Sequence, residues 1–224
     1  MKGSVFSIAI DGPAGAGKST VAKGVAKRLG IVYVDTGAMY RAIGLKTVRL
    51  GIPSDSAADV IPMLPATDVS IGFIDGAQHV FLDGEDVTGL IRTQEVSNAA
   101  SKVSAIPEVR LKLVELQRKL AENTSIAMDG RDICSYVLPN AKYKFYVTAS
   151  PEQRASRRYR ELEKKVTLGE MTFNELFLEM VERDRRDSER ECMPLKKAPD
   201  AILIDTTYLD IEHSIDAVME HIKE

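Results

Sequence analysis

The chain has 224 residues, 44% of them hydrophobic, and 30 basic against 33 acidic residues give a formal net charge of −3. This length predicts one domain with an insertion, or one core with small mobile lobes, and the hydrophobic content is enough for a sizeable core. The near balance of charge excludes a protein that coats nucleic acid with its whole surface. Local basic patches remain compatible with this net charge.

The N-terminal part predicts an alternation of strands and helices. Strand Val5–Asp11 enters a glycine-rich loop, and helix Lys18–Leu29 follows, with small or apolar residues on one face and Gly30 as its stop. A second strand, Ile31–Asp35, and a helix, Thr36–Leu50, come next. This order predicts a parallel sheet with right-handed crossovers.

Residues 68–91 interrupt the alternation. Apolar and polar residues alternate there, and the pairs Asp75-Gly76 and Asp83-Gly84 have the composition of tight turns. The pattern predicts a small antiparallel meander of three strands, inserted into the α/β core.

The remaining chain returns to helices and strands. The predicted helices are Thr93–Ser101, Pro107–Glu122, Pro151–Lys165, Phe173–Cys192 and Asp210–Ile222. The predicted strands are Ser125–Met128, Tyr143–Thr148 and Ala201–Ile204. Within the long helix one apolar stripe is expected, formed by Phe173, Leu176, Phe177, Met180 and Val181. The segment Val166–Thr172 is predicted to be a mobile loop.

Cysteine and histidine are rare and scattered. Cys134 and Cys192 form no C-x-x-C pair, and His79, His213 and His221 form no cluster, so neither a disulfide framework nor a zinc site is predicted. No leader and no membrane span are expected. A reducing, cytoplasmic location follows as the expectation.

The stretch DGPAGAGKST, residues 11–20, carries the first functional signal. Gly12, Gly17, Lys18 and Ser19 have the spacing G-x-x-x-x-G-K-[ST] between a predicted strand and a predicted helix. Glycines let backbone N–H groups approach phosphate oxygens, and the following helix presents its positive N-terminal end. Lys18 would reach the β- and γ-phosphates, and the Ser19 hydroxyl would ligate magnesium. The alternative, a glycine-rich turn with a chance lysine, fits this context less well.

Three classes of protein use such a phosphate loop. A GTP-dependent switch usually carries an Asn-Lys-x-Asp segment, which is absent from the sequence. An ATP-driven motor usually has a strand ending in Asp-Glu, and here the nearest candidate has Asp129 followed by Gly130. A small phosphotransferase is the third class.

Arginines favour the phosphotransferase. The stretch EQRASRRYRELEKK brings Arg154, Arg157 and Arg158 close to one helical face. The stretch ERDRRDSER aligns Arg183, Asp187 and Arg190; Arg41, Arg110 and Arg131 add further cations. Because phosphoryl transfer depends on positioning and charge neutralisation, a phosphate acceptor needs cations and no base. The alternative is two solvated helices with surface ion pairs.

Five segments then resemble one family. In chain order, IDGPAGAGKST, DTGAMYRA, GEDVTGLIRTQEVSNAASKVSAIPEVR, DGRD and ERDRRDSER resemble bacterial-type cytidylate (CMP) kinases, almost from end to end. The resemblance implies a P-loop NTPase fold, three-layer α/β/α, with a five-stranded parallel core sheet, an NMP-binding lobe enlarged by a small antiparallel sheet, and a short lid. The implied core is 1–35, 106–156 and 186–224, the lobe is 36–105 with its insert at about 68–91, and the lid is 157–185.

The resemblance also implies residue roles. ATP phosphates would be bound by Gly12, Pro13, Ala14, Gly15, Ala16, Gly17, Lys18, Ser19 and Thr20. The CMP side would be contacted by Thr36, Tyr40 and Arg41. Cytosine and its neighbourhood would be held by Ser101, Arg110 and Asp132. Arg131 would hold the CMP phosphate, Arg183 and Asp187 would contact its sugar and phosphate, and Arg190 would close the pocket. The lid arginines Arg157 and Arg158 would clamp the phosphates, and Asp129 would hold a magnesium-bound water.

Some of these residues have simpler interpretations. Ser101 could cap a helix or lie on the surface, Tyr40 could be a core aromatic, and Asp132 could belong to a turn or cap. The family usually continues Gly-Thr after DGRD-Ile, whereas this chain has Cys134-Ser135. A glycine there permits backbone angles that a cysteine resists, so the loop beside Asp132 is the doubtful part of the resemblance. Cys134 itself is expected to be buried or inert.

The implied reaction converts ATP and CMP or dCMP into ADP and CDP or dCDP, with magnesium. The alternatives are a kinase for another monophosphate such as UMP, and a nucleotide-binding switch or module with little turnover. The expected partners are the small-molecule substrates alone, without nucleic acid or membrane, and the expected state is a monomer.

Overall fold

The computed structural model describes residues 5–164, 169 and 171–223. The chain folds into two compact units: the first contains Met1–Tyr33 and Ala121–Glu224, and the second contains Val34–Leu120. The finer division into core, lobe and lid stays a prediction. The predicted mobile loop Val166–Thr172 falls largely outside the described residues, as does Lys165.

Eight strands and eight α-helices make up the regular structure of the described residues. The strands are β1 (Ser7–Asp11), β2 (Val32–Asp35), β3 (Val69–Ile74), β4 (Ala77–Leu82), β5 (Glu85–Asp86), β6 (Ile126–Asp129), β7 (Tyr143–Thr148) and β8 (Ile202–Asp205). The α-helices are α1 (Lys18–Leu29), α2 (Thr36–Leu50), α3 (Ala57–Met63), α4 (Gln94–Val103), α5 (Pro107–Glu122), α6 (Pro151–Lys164), α7 (Phe173–Glu189) and α8 (Ile211–Met219).

A five-stranded parallel sheet forms the main layer, as predicted. The strand order is β2-β6-β1-β7-β8, and the central strand β1 pairs in parallel with both β6 and β7. Ile8 and Ile10 of β1 are fully buried, and they belong to a core that includes Val21 and Val25 of α1. The carboxyl ends of β1 and β6 therefore lie side by side, and in open α/β sheets this edge is where ligands bind.

The predicted meander is confirmed in the second unit. Strands β3, β4 and β5 form an antiparallel sheet in that order. Both turns place an aspartate and a glycine at positive φ, with Asp75 at 51° and Gly76 at 74° in the first. Positive φ at both positions gives a turn whose twist matches the strands, which explains why Asp-Gly occurs twice.

Most predicted elements are found within one to three residues of their bounds. The long helix ends at Glu189 instead of Cys192, because Arg190 leaves helical angles and the Leu195 amide donates back to the Asp187 carbonyl at 2.7 Å. The last helix is shorter at both ends than predicted, since Asp210 is its N-cap and it ends at Met219. The predicted apolar stripe is present on α7: Leu176 and Met180 are buried, Phe177 packs against them, and Phe173 and Val181 at the two ends of the stripe are exposed.

Three elements were not predicted from the sequence, the shortest being a 3-10 helix, Leu64–Ala66. Helix α3 contains Pro62, a residue that argues against a helix. A π-helical turn, Ile133–Val137, follows β6 in the place where a loop was expected.

Helices α2 and α4 pack closely at Gly44. A Cβ at this position would lie 2.7 Å from the Ala100 backbone nitrogen. We expect Gly44→Ala to destabilise the protein by about 1–3 kcal/mol, because overpacking outweighs the gain of about 1 kcal/mol in helix propensity. Urea unfolding measures the change. Gly89→Ala is the control, since an added Cβ there meets no neighbouring atom within 4 Å. An equal urea midpoint of unfolding for the two variants would contradict the prediction.

Candidate active site

The phosphate loop joins β1 to α1 in the first unit, as predicted. Its backbone needs glycine at Gly12, where φ is 146° and a Cβ would lie 1.9 Å from the Val147 carbonyl oxygen. Gly17 is the N-cap of α1 at a φ of 88°, and it supplies no side-chain cap. The first N–H groups of α1 thus have no side-chain cap and stay available, an arrangement suited to phosphate oxygens.

Lys18 lies inside this loop. Its side chain is buried, and Nζ donates to the Pro13 carbonyl at 2.7 Å. Burial and the nearby charge of Arg131 lower the pKa of Lys18 well below its usual value. A cation in this environment is stabilised by an arriving anion, so the loop is prepared for a phosphate.

Ser19 and Asp129 meet at the carboxyl end of β6. The Ser19 hydroxyl donates to Asp129 Oδ2 at 2.9 Å, and the Tyr33 hydroxyl donates to Oδ1 at 2.7 Å. The hydroxyl and carboxylate oxygens are ligands of the kind that magnesium prefers. In the part of the chain that the structure describes, no three His, Cys, Asp or Glu side chains form a metal-binding group.

The apex of the loop is held by two residues whose role the sequence did not reveal. Arg154 of α6 donates from Nη1 to the Ala14 carbonyl at 2.9 Å and to Asp184 Oδ2 at 2.5 Å. Asp184 of α7 accepts the Ala14 N–H through Oδ1 at 3.2 Å. The aspartates between the arginines of ERDRRDSER indicate that a carboxylate lies near the arginine-rich site. The sequence does not show which of these aspartates contacts Ala14.

The two predicted lid arginines lie in different surroundings. Arg157 donates to the Thr206 hydroxyl at 2.9 Å and the Thr206 carbonyl at 2.5 Å. Its Nη1 would be 3.8 Å from a Cβ on Gly17, so it faces the phosphate loop. Arg158 forms an ion pair with Glu161 at 2.9 Å, one turn along α6.

A second group of charges is centred on Asp187. Arg131 Nε donates to Asp187 Oδ2 at 3.0 Å, and Arg190 Nη1 is 3.5 Å from Oδ1. Burial raises the pKa of Asp187, but the charges of Arg131, Arg183 and Arg190 lower it further, so the pKa lies below its usual value. Arg190 Nη2 also lies 3.9 Å from Asp132 Oδ1. Three predicted arginines therefore act on one buried carboxylate, and one of them also approaches Asp132.

Asp11 fixes the turn that follows Asp132. Its two carboxylate oxygens accept the N–H groups of Ile133 and Cys134, each at 2.8 Å. The Cys134 thiol is buried against the Ala9 and Phe145 carbonyls, and burial raises its pKa. The expected burial of Cys134 is confirmed.

The expected backbone conflict at Cys134 is wrong. Among the described non-glycine residues, positive φ occurs only at Asp75, Asp83 and Met193. Cys134 adopts π-helical backbone angles that any residue tolerates, so its presence instead of glycine does not strain the turn.

The second unit contains three further predicted residues, of which Arg110 lies beside Tyr40 of α2. The Arg110 guanidinium carbon is 5.4 Å from the centre of the Tyr40 ring, and Nη1 donates to the Ser104 carbonyl at 3.0 Å. Arg110 is 1% exposed. Ser101 lies in the last turns of α4, and its buried hydroxyl has no hydrogen-bond partner within the described residues. Since α4 is capped by Thr93, the alternative of Ser101 as an N-cap is wrong.

The start of α2 carries the last predicted residues. Thr36, its first residue, is buried, and Asp35 is its N-cap, accepting the Ala38 N–H at 3.1 Å. Arg41 donates from Nη2 to Asp35 Oδ2 at 2.7 Å. The Arg41 cation thus lies beside the start of α2, which also carries Thr36, the other residue there that the resemblance assigned to the CMP side.

The cytidylate kinase family model matches residues 8–224. The chain belongs to the cytidylate kinase family. It is 50% identical to the cytidylate kinase of Caldicellulosiruptor bescii over 215 residues, which cover 96% of this chain and 94% of that one. It is 51% identical to the cytidylate kinase of Caldanaerobacter subterraneus, with coverage of 97% and 94%. Family membership confirms the resemblance and makes the protein a kinase.

The fold is also shared with distant kinases. A crystal structure of shikimate kinase from Bacteroides thetaiotaomicron matches with a TM-score of 0.51 at 13% identity, covering 97% of this chain and 98% of that chain. At this identity the match concerns the fold alone, and it agrees with a parallel sheet that carries a phosphate loop. Of the helices within the described ranges, none combines the length and hydrophobicity of a membrane span.

Proposed function

We propose that this kinase transfers the γ-phosphoryl group of ATP to the phosphate of CMP or dCMP, giving ADP and CDP or dCDP. The observation that carries the proposal is the set of cations near the phosphate loop in the first unit. Lys18 lies within reach of the charges of Arg131 and Arg183, and these arginines also act on Asp187. Such a set suits the meeting of two phosphate groups.

On the donor side, the phosphate loop binds the ATP phosphates through the backbone of Gly12–Thr20. Lys18 stabilises the γ-phosphoryl group as it moves, and Arg157, which faces Gly17, adds positive charge. Arg158 adds a further positive charge beside the phosphates when the lid closes. The contact of Arg154 and Asp184 with Ala14 keeps the loop in shape.

On the acceptor side, no general base is needed. The second pKa of a phosphate is about 6, so at neutral pH its oxygens are already nucleophiles. Arg131 holds this phosphate, Arg183 and Asp187 contact the sugar and phosphate, and Arg190 closes the pocket. The contacts of Arg131 and Arg190 with Asp187 hold these two guanidinium groups in place before the substrate arrives.

Recognition of cytosine is assigned to Ser101, Arg110 and Asp132, with Thr36, Tyr40 and Arg41 on the CMP side. An arginine donates to the cytosine carbonyl, and a carboxylate accepts from its amino group. Two features of the second unit support this assignment: the buried Ser101 hydroxyl has no partner among the described residues, and Arg110 is fixed against the Tyr40 ring. A buried hydroxyl of this kind gains from a ligand that hydrogen-bonds to it.

Ser19 and Asp129 fit magnesium through their adjacent oxygens. Bound there, the ion would neutralise part of the charge on the β- and γ-phosphates. We expect Asp129→Asn to lower kcat by about 10–100-fold and to raise the magnesium concentration needed for half-maximal rate, because the carboxylate charge near Ser19 is lost. The measurement is kcat as a function of magnesium concentration.

Tyr33→Phe is the matched control for Asp129→Asn. It removes the hydroxyl that donates to Asp129 Oδ1 but keeps the carboxylate, so a smaller shift in magnesium dependence is expected. An unchanged magnesium dependence in Asp129→Asn would exclude Asp129 from the magnesium site.

The proposed function is tested by identifying the product. Purified protein with ATP, magnesium and CMP should form CDP and ADP in equal amounts. Both products are measured by ³¹P NMR. ADP formation without CDP would contradict phosphoryl transfer to CMP. Family membership argues against a binding module with little turnover, whereas the monomeric state and the cytoplasmic location stay predictions.

A further inference from the structure

Arg92, a residue without an assigned role, approaches the same Asp35 oxygen as Arg41. Arg92 Nη2 is 3.4 Å from Asp35 Oδ2, the oxygen that also accepts Arg41 Nη2 at 2.7 Å. The other oxygen, Oδ1, accepts the Ala38 N–H. One carboxylate oxygen therefore faces two guanidinium groups.

This group carries an excess positive charge. Burial raises the pKa of Asp35, but the charges of Arg41 and Arg92 lower it further. The pKa therefore lies below its usual value, and the carboxylate stays ionised. Two cations then share one anion. The Arg41 Nε is buried and has no hydrogen-bond partner within the described residues, and the Arg92 side chain is 54% exposed. Both guanidinium groups keep donors for a further anion.

The backbone on each side of Arg92 is fixed. Ile91 is 1% exposed, and Thr93 is the N-cap of α4, with its side chain accepting the Val96 N–H at 3.2 Å. Arg92 thus leaves the chain from a rigid point between a core residue and a helix terminus. Arg49 in the same unit differs, because its guanidinium makes two hydrogen bonds to one carboxylate, that of Glu85, at 2.6 and 2.9 Å.

We propose that Arg92 binds the phosphate of the acceptor nucleotide together with Arg41, and that Asp35 holds both guanidinium groups in place until the phosphate arrives. A phosphate dianion matches the planar donor forks of two arginines and neutralises the excess charge of the group. The inference rests on the proposed function, since it names a further residue for the same acceptor.

The test compares Arg92→Gln with the control Arg49→Gln. Both variants remove one guanidinium from the second unit, but only Arg92 shares Asp35 with Arg41. Calorimetric titration measures the Kd of CMP, and competition in the same titration measures the affinity of cytidine, which lacks the phosphate. We expect Arg92→Gln to weaken CMP binding by about tenfold with cytidine unchanged, and Arg92→Lys to restore part of the affinity. Arg49→Gln should stay within about twofold of the parent protein.

Two results would overturn the inference. One is a CMP Kd in Arg92→Gln equal to that of the parent. The other is an equal loss of CMP and cytidine binding, which would show that Arg92 supports the structure and not the phosphate. Because binding is measured without turnover, a protein that binds CMP but forms no CDP would contradict the proposed function while the Kd values still decide the role of Arg92.

Discussion

Replacing Lys18 by alanine is expected to lower kcat by about 10³-fold, at the upper end of the effect of losing one donor to a transition-state oxygen. Lys18 is the cation inside the phosphate loop, where its Nζ donates to the Pro13 carbonyl. The fold should survive, because a buried lysine whose pKa is strongly lowered costs free energy in the folded state and its removal relieves that cost. The measurement is kcat at saturating ATP and CMP, with thermal unfolding alongside.

Lys27→Ala is the control for this change. Lys27 is an exposed residue in the last turn of the same helix, α1, so its loss removes an equal charge away from the loop. Turnover of Lys18→Ala within about tenfold of the parent would show that the loop lysine does not stabilise the transferred group.

The second large effect is expected for Arg131→Gln, whose kcat/KM for CMP should fall by about 10³-fold. Arg131 donates to Asp187, and its charge also acts on Lys18. Glutamine keeps a donor but loses the positive charge, which is what brings two anions together. The affinity for ATP should change little, because the backbone of the phosphate loop supplies most of its contacts.

Folding of Arg131→Gln can be checked separately. Asp187 keeps the charges of Arg183 and Arg190, so the buried carboxylate stays compensated and thermal unfolding should shift only modestly. Arg185→Gln is the matched control on α7, since Arg185 pairs with Glu182 and Glu189 on an exposed face. An equal fall of kcat/KM in both variants would mean that the loss of any positive charge lowers the rate, and that the position of Arg131 has no special part in it.

Features that depend on neighbouring residues could be predicted from the sequence. The phosphate loop is defined by ten consecutive residues, and the parallel sheet follows from the alternation of strands and helices. The meander was predicted because Asp-Gly pairs determine turn geometry locally. Arg110 and Ser101 could be assigned only through the family resemblance, since spacing alone does not show that they are buried.

Other features depend on contacts between residues far apart in the chain. The π-helical turn at Ile133–Val137 is held by Asp11, 122 residues before Ile133, so local propensity could not reveal it. The contact of Asp184 with Ala14 spans 170 residues in the same way. Cys134 was expected to strain the loop, but the carboxylate of Asp11 and the two carbonyls beside its thiol accommodate it.

Specificity for the acceptor base is the sharpest test of cytosine recognition by this kinase. ADP release with ATP and magnesium is compared for CMP, dCMP, UMP and AMP at equal concentration. Recognition by Ser101, Arg110 and Asp132 predicts that CMP and dCMP drive turnover at least about tenfold faster than UMP and AMP, because the wrong base leaves buried polar groups unpaired. Equal rates for all four monophosphates, or a faster rate with UMP, would contradict the assignment of these residues to cytosine.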